Sequence, residues 1–286
     1  MEIANNPTAA SAVRSAHRRD LETLHQLLRE QFYTHTHVDW HTLADWLDCA
    51  GFVVWEHELI HAFLTVTAAP PPAAWVRAVS LRYSSAPKKT LTALFEQAIN
   101  QLKAQNITTI GWMSNKRWPD RWLPDLGFDV RYHIEAYHKN DLTIPPHKTP
   151  QNLFIRSVLP EEIKQLAHLE ALVFDPLWRH DARGLHLAWR ESLSLDVAFL
   201  NGRLIGFQHS VPADKQGAHL ARMTIHPDVQ GQGIGSTLLA YAINGYKKRD
   251  RTHVTLNTQT GNTAAQHLYT KFGFYPIDYR LPVWVR

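Results

Sequence analysis

With 286 residues, 44% hydrophobic and 20% charged, the chain has the length and composition of a globular protein of two domains. One cysteine, Cys49, excludes an intramolecular disulfide and a metal site built from cysteines. The net charge of +4 arises after residue 150, where 15 Lys and Arg face 11 Asp and Glu; that excess suits a polyanionic ligand and falls short of a nucleic-acid footprint.

In chain order, Met1 to Ser11 is polar and small, with no basic segment leading into an apolar one. No secretory signal is expected, and the chain is expected in the cytoplasm. No apolar run reaches the ~18–20 residues of a membrane span, so no membrane partner is expected. Val13-Arg14-Ser15 reads as a short strand, followed by an amphipathic helix through Leu21, Leu24, Leu27 and Phe32. His35 and His37 alternate without a third or fourth ligand nearby, so no metal is expected. Phe52 to Val66 reads as apolar strand, tight polar turn, apolar strand. Ala98-Ile99-Asn100 lies within a helix. Lys139 to Asn152, KNDLTIPPHKTPQN, carries three prolines and little periodicity, and predicts an extended, exposed linker.

The segments on either side of that linker repeat. Val13-Arg14-Ser15 falls on Ile155-Arg156-Ser157, and Leu21, Leu24, Leu27 and Phe32 fall on Ile163, Leu166, Leu169 and Phe174 at the same offset. Phe52 to Val66 falls on Val197 to Val211, Ala98-Ile99-Asn100 on Ala242-Ile243-Asn244, and Leu126-Gly127-Phe128 on Phe272-Gly273-Phe274. Four collinear matches in the same context predict a duplication. Each copy mixes strands with helices, which predicts an α/β fold around a mixed sheet. The domains expected are 1–140, a linker over 141–152, and 153–286.

Chemistry concentrates in Leu220 to Leu239, LARMTIHPDVQGQGIGSTLL. A strand ends at Pro227 and Asp228, Gln230-Gly231-Gln232-Gly233-Ile234-Gly235 forms a glycine-rich turn, and Ser236 opens an apolar helical pattern. Such a turn lets the backbone approach an anion closely and gathers N–H groups at the positive end of the next helix. A pyrophosphate fits there. The spacing is G-x-G-x-G rather than the dinucleotide-binding G-x-G-x-x-G, and no acidic residue opens a βαβ unit downstream.

This Q-x-x-G-x-G after Ile-His-Pro resembles the acetyl-CoA loop of the GNAT superfamily of N-acetyltransferases. Asn262 to Phe274, NTAAQHLYTKFGF, resembles the family's N-x-x-A-x-x-L-Y-x-K-x-G-F through Asn262, Ala265, Leu268, Tyr269, Lys271, Gly273 and Phe274. The resemblance covers the second half and, more weakly, the first. It implies two tandem GNAT-like domains, acetyl-CoA as cosubstrate without a metal, and direct attack of a primary amine of unknown identity, a small molecule or a protein N-terminus. It further implies that the backbone of Gln232, Gly233, Ile234 and Gly235 binds the pyrophosphate, with Gln230, Gly231 and Ser236 in the same loop. Met223, Thr224 and Ile225 would hold the pantetheine arm, and Asn262 its junction with the pyrophosphate. Tyr269 would be the general acid, because a phenol of pKa ~10 stays protonated at neutral pH. Many relatives carry a base early in the strand before the loop; His219 stands there, and water is the alternative.

The acceptor is expected against Phe174-Asp175-Pro176-Leu177-Trp178, with Glu170, Asp175 and Asp181 available to attract an amine or else simply solvated at helix ends. In the first copy the glycine loop falls on Ala86 to Leu91, without glycine and with Pro87 lacking an N–H, and Tyr269 falls on Leu123. That copy reads as a scaffold without a cofactor loop, with Lys88 and Lys89 left as point charges. A non-catalytic acyl-CoA sensor is the alternative function. The assembly expected is a monomer, as an intramolecular pseudo-dimer, or a homodimer.

Overall fold

The computed structural model describes residues 12–38, 40–68, 70–82 and 86–286; the reading of Met1 to Ser11 lies outside them. The chain forms two compact units. One holds Met1–Val130 with Val283–Arg286, the other Arg131–Pro282.

The first unit runs β1 (Ala12–Ser15), α1 (Leu21–Glu30), β2 (Tyr33–Thr36), α2 (Leu43–Trp46), β3 (Phe52–His57), β4 (Leu59–Ala68), β5 (Ala73–Leu81), α3 (Pro87–Leu102) and β6 (Thr109–Met113). Its sheet runs β1–β3–β4–β5–β6, with residues 283–285 pairing antiparallel beyond β6. Leu91, Leu94, Phe95, Ala98 and Leu102 on one face of α3 pack against Val53, Leu64 and Val76 of the sheet. The period of 3.6 against the period of 2 makes that match.

The second unit takes most of β7 (Asp129–Lys139), then β8 (Leu153–Ser157), α4 (Ile163–Val173), α5 (Ala182–Arg190), β9 (Ser194–Leu200), β10 (Arg203–Pro212), β11 (Gly217–Ile225), α6 (Ile234–Lys247), β12 (His253–Gln259), α7 (Thr263–Lys271) and β13 (Tyr275–Val285). Its strand order is β13–β7–β12–β11–β10–β9–β8. Asn201 and Gly202, at φ 51° and 80°, turn β9 into β10 as an Asn-Gly hairpin should. Leu239, Ala242, Ile243 and Tyr246 of α6 share one core with Ala218, Leu220, Tyr269 and Phe272. Burial of a side chain such as Leu239 or Ile243 contributes ~1.5–3 kcal/mol. On the other face Leu166, Leu169 and Leu185 of α4 and α5 cover Val197 and Phe207.

The repeat is visible in bonds as well as in order. Arg14 Nη1 meets Asp20 Oδ2 at 2.7 Å, and Arg156 Nη1 meets Glu162 Oε2 at 2.8 Å. Each carboxylate also accepts a 2.8 Å bond from the backbone three residues before it, at His17 and Leu159. Both units are α/β with a mixed sheet.

Three details differ from the sequence-based expectations. The units do not divide at the linker: residues 131–139 lie in the second, where 134–139 pair with β12, while 283–286 lie in the first, where Ile110 and Arg286 exchange backbone bonds of 2.8 and 3.0 Å. Backbone pairing over distance outweighs the punctuation of prolines. Lys139, expected in an exposed linker, ends β7 at 1% exposure, its ammonium bonded to Asp141 and Thr143. Helix α6 begins at Ile234 rather than Ser236, because Gly233 supplies the left-handed cap at φ 87°.

The units diverge along the edge of β5. β5 and β11 are the same length, and each pairs in parallel through its first residues: Ala73 to Trp75 with β6, Gly217 to Leu220 with β12. Beyond that point the edge of β5 is taken by β2, with Tyr33 opposite Leu81 and Thr36 opposite Ala78. Trp118 Nε1 and Asn115 Nδ2 bond to the carbonyls of Thr34 and Thr36. In the second unit no strand among the described residues occupies the corresponding edge.

Candidate active site

β11 carries the site because of a register fault. His209 of β10 faces Arg222, but Ser210 faces Leu220, so Ala221 is an extra residue on β11. A bulge bends its strand and disrupts pairing locally. Here β11 leaves β12 after Leu220 while still paired to β10 as far as Ile225. The backbone of 221–225 is thereby left with one edge not paired to a strand. A ligand with amide groups in a row can pair there as a strand would.

The side chains on that stretch alternate. Met223 and Ile225 join the apolar cluster beneath α6 with Ile205, Ile234 and Leu238. Thr224 is fully buried on the other face and donates to Glu170 Oε1 at 2.8 Å. Thr224 therefore offers a ligand at that edge only its backbone.

The glycine turn follows directly. His226 caps the short 3₁₀ turn of Pro227–Val229 by accepting from Asp228 N. Gln230 donates its amide to Ile225 O at 3.0 Å, and Gln232 to Asp228 O at 3.3 Å. Gly231 and Gly233 sit at φ 75° and 87°, conformations that side chains disfavour. A Cβ on Gly231 would meet nothing within 4 Å, so the turn faces open space. The first intrahelical bond is Thr237 N to Gly233 O, which leaves the N–H groups of Ile234, Gly235 and Ser236 without a helical partner. Ile234, 1% exposed, anchors that end in the core. Those N–H groups and the positive end of the fourteen-residue helix fit a pyrophosphate. The N–H of Gln230 is spent on Pro227 O, so that residue can contribute only its side chain.

Tyr269 lies on α7 at 7% exposure, in the same apolar cluster as Met223 and Leu220, its ring 6.4 Å from Tyr137 and 5.8 Å from Phe274. Burial pushes its phenol up to about 12, with the positive charge of Arg222 pulling the other way. The hydroxyl therefore stays protonated throughout the working range. Asn262 caps α7 by accepting from Ala265 N at 3.2 Å. His219 lies in the paired part of β11, its Nδ1 2.8 Å from Thr255 Oγ1, and burial lowers its imidazole below the ordinary range.

A cavity of about 570 Å³ opens beside Gln230 and Asn262. Phe174, Asp175 and Trp178 form one wall, Gln230 and Asn262 another, and Arg131, Tyr132 and His133 a third. Tyr132 meets Trp178 edge to face at 5.5 Å. Thus the loop expected to face the acceptor does line a cavity that also reaches the glycine turn. Of the three carboxylates considered for the amine, only Asp175 lines it. Glu170 is fully buried and bonded to Arg222, and Asp181 caps α5 by accepting from Gly184 N at 2.7 Å. Sequence reasoning missed Arg131 to His133, which precede the linker and so read as part of the first copy. Lys88 is not a loose charge either, since it pairs with Asp125 at 2.6 Å.

The sequence profile of the Acetyltransferase (GNAT) family matches residues 163–274, which span α4 through the end of the N-x-x-A-x-x-L-Y motif. The second half of the chain is a GNAT acetyltransferase domain. A protein of Bacillus subtilis (strain 168) named for N-acetylation of an alanine of ribosomal protein bS18 is 28% identical over 122 residues, 43% of this chain and 80% of that protein. A mycothiol acetyltransferase of Tsukamurella paurometabola is 33% identical over 96 residues, 33% of this chain and 32% of that one. The chain thus matches only about a third of that relative's length. Among solved structures, a GCN5-related N-acetyltransferase from Sphaerobacter thermophilus superposes with a TM-score of 0.61 at 15% identity, over 96% of this chain and 95% of that one. A tandem GNAT protein from the clavulanic acid biosynthesis pathway gives 0.60 at 13% identity, over 97% and 98%. At such identities these two establish the tandem GNAT fold of the whole chain and nothing finer. Among the described residues no helix is long and apolar enough to cross a membrane, and no group of three His, Cys, Asp or Glu is placed to hold a metal.

Proposed function

We propose that the chain transfers an acetyl group from acetyl-CoA to a primary amine, with both reactants held in the second unit and the amine attacking directly. The observation that carries this reading is the open edge of β11 at 221–225, flanked by the glycine turn and by Tyr269. The cosubstrate supplies an acetyl group activated as a thioester. The backbone of Met223, Thr224 and Ile225 pairs with the pantetheine amides, and a backbone N–H of that stretch polarises the carbonyl. The N–H groups from Gln232 to Gly235, with Ser236, hold the pyrophosphate, and Asn262 borders it. Juxtaposition of two bound reactants supplies much of the rate.

Proton traffic falls to two side chains. Tyr269 donates to the departing thiolate, a role suited to a phenol that burial keeps protonated. His219 accepts the proton of the amine, directly or through water; its lowered pKa keeps the ring neutral at pH 7. Asp175, exposed at the cavity, attracts the cationic amine. The names of the two relatives point to an alanine of a ribosomal protein and to mycothiol, which leaves both a protein N-terminus and a small molecule as acceptor classes. The first unit binds no cosubstrate, because β2 occupies the edge that the second unit leaves open.

The test is release of free thiol from acetyl-CoA against a panel of peptides, polyamines, aminoglycosides and amino acids. Transfer to at least one class is expected. Tight acetyl-CoA binding with no thiol release from any amine would replace the enzyme with a sensor.

A further inference from the structure

We propose that Arg222 is a positioning residue that fastens the Phe174–Trp178 wall of the acceptor cavity to the cosubstrate-binding stretch of β11, so that amine and thioester meet in one geometry. The proposal rests on the acetyl-transfer reading above.

Arg222 directly follows the bulged Ala221, on the stretch of β11 with the open edge. Its guanidinium makes contact in three directions. Nε and Nη2 donate to the two oxygens of Glu170, the former at 2.9 Å. Nη2 also donates to Trp178 O at 2.6 Å. The guanidinium carbon lies 3.6 Å from the centre of the Phe174 ring. Glu170 in turn accepts from Thr224 Oγ1 at 2.8 Å and from His180 N at 3.2 Å. One fully buried carboxylate therefore joins α4, β11 and the far end of the loop, with Arg222 as its counter-charge.

The loop needs such a fastening. Residues 174–181 connect α4 to α5 without regular structure, and three of them line the cavity. Loops not tied down are mobile. Lysine could not replace this contact set, since it lacks the planar fork that bonds two oxygens and stacks on a ring. An apolar pair would fill the same space without desolvating two charges, so bulk stability alone does not call for ions here. What the pair adds is direction: it relates the acceptor wall to the backbone that orients the thioester.

The experiment uses the full chain with Arg222→Lys and Phe174→Leu. Amide hydrogen exchange is followed over 174–180, acetyl-CoA affinity by calorimetry, and kcat and KM with an amine that the wild type acetylates. In Arg222→Lys, exchange over 174–180 should accelerate and acceptor kcat/KM should fall about 10²-fold, the effect of a displacement near 1 Å. Acetyl-CoA affinity should stay within a few-fold. Phe174→Leu keeps every charge and removes only the stacked ring, so it gives a smaller change of the same pattern and serves if Arg222→Lys does not fold. Unchanged exchange over 174–180 in a folded variant, or equal losses of acetyl-CoA affinity and acceptor kcat/KM, would overturn the positioning role. If the wild type acetylates no amine, the acetyl-transfer reading fails; the exchange measurement then still decides whether Arg222 holds the loop.

Discussion

Gly233→Ala tests whether the turn before α6 is built for close approach. Gly233 sits at φ 87°, and a Cβ there would stand 2.9 Å from Lys148 O, inside ordinary van der Waals contact. An L-residue in left-handed geometry costs ~1–2 kcal/mol. The stiffer unfolded chain offsets ~0.4–1 kcal/mol of that. Gly231, at φ 75° with open space around its Cβ, supplies the control, because Gly231→Ala meets the same two terms and no obstacle. The control should lose about 1 kcal/mol or less and Gly233→Ala about 1–2 kcal/mol, since Lys148 must also retreat. For a unit of this size that corresponds to a Tm lower by ~3–6 °C in Gly233→Ala. The displaced N–H groups should also weaken acetyl-CoA binding by about tenfold, or ~1.4 kcal/mol. Scanning calorimetry and titration of the same preparations measure both. Wild-type Tm with wild-type affinity in Gly233→Ala, or a larger Tm loss in Gly231→Ala, would refute the reasoning.

Tyr269→Phe keeps the packing and deletes the hydroxyl; transfer should slow by ~10²–10⁴ with acetyl-CoA affinity nearly constant, and a parallel loss of affinity would show that the hydroxyl positions the cosubstrate instead. His219→Ala should remove an acid limb of the pH–rate profile that lies below the ordinary imidazole range, because burial keeps His219 neutral to lower pH; an unchanged limb would leave water as the base. Glu162 is held below the usual carboxylate range by its bonds to Arg156, against the opposing effect of burial. Its contribution to stability is present above pH ~4.3 and lost as pH falls through the lower folded value, so the Tm gap between wild type and Glu162→Gln should close in acid rather than stay constant. Calorimetry should return one acetyl-CoA per chain; two equal sites would mean that β2 yields its place.

What the sequence disclosed was local. The hairpin over Val197 to Val211 and the glycine turn before α6 each follow from residues within about a dozen positions, the helix after the turn starting two residues earlier than its pattern suggests. What it hid was the choice of distant partners. Tyr33 to Thr36 gives no sign that they will fill an edge of β5, because a four-residue strand takes its meaning from its neighbour. Glu170 resembles any solvated charge near a helix end; Arg222, 52 residues away, decides that it is buried. Arg131 to His133 reach the cavity only because β7 pairs with β12, which no periodicity within β7 encodes.

The distribution of β7 and the last residues has a consequence for any attempt to separate the halves. A chain severed within 141–152 gives one fragment whose residues 134–139 have lost β12, and another whose residues 283–286 have lost Ile110. Each fragment would present a bare strand edge, the usual template for self-association. Expressed alone, the halves should aggregate or pair with copies of themselves; expressed together, they should find each other and restore the uncut protein without a peptide bond between them. In that sense each half of the chain lends the other a strand, and neither completes its own sheet.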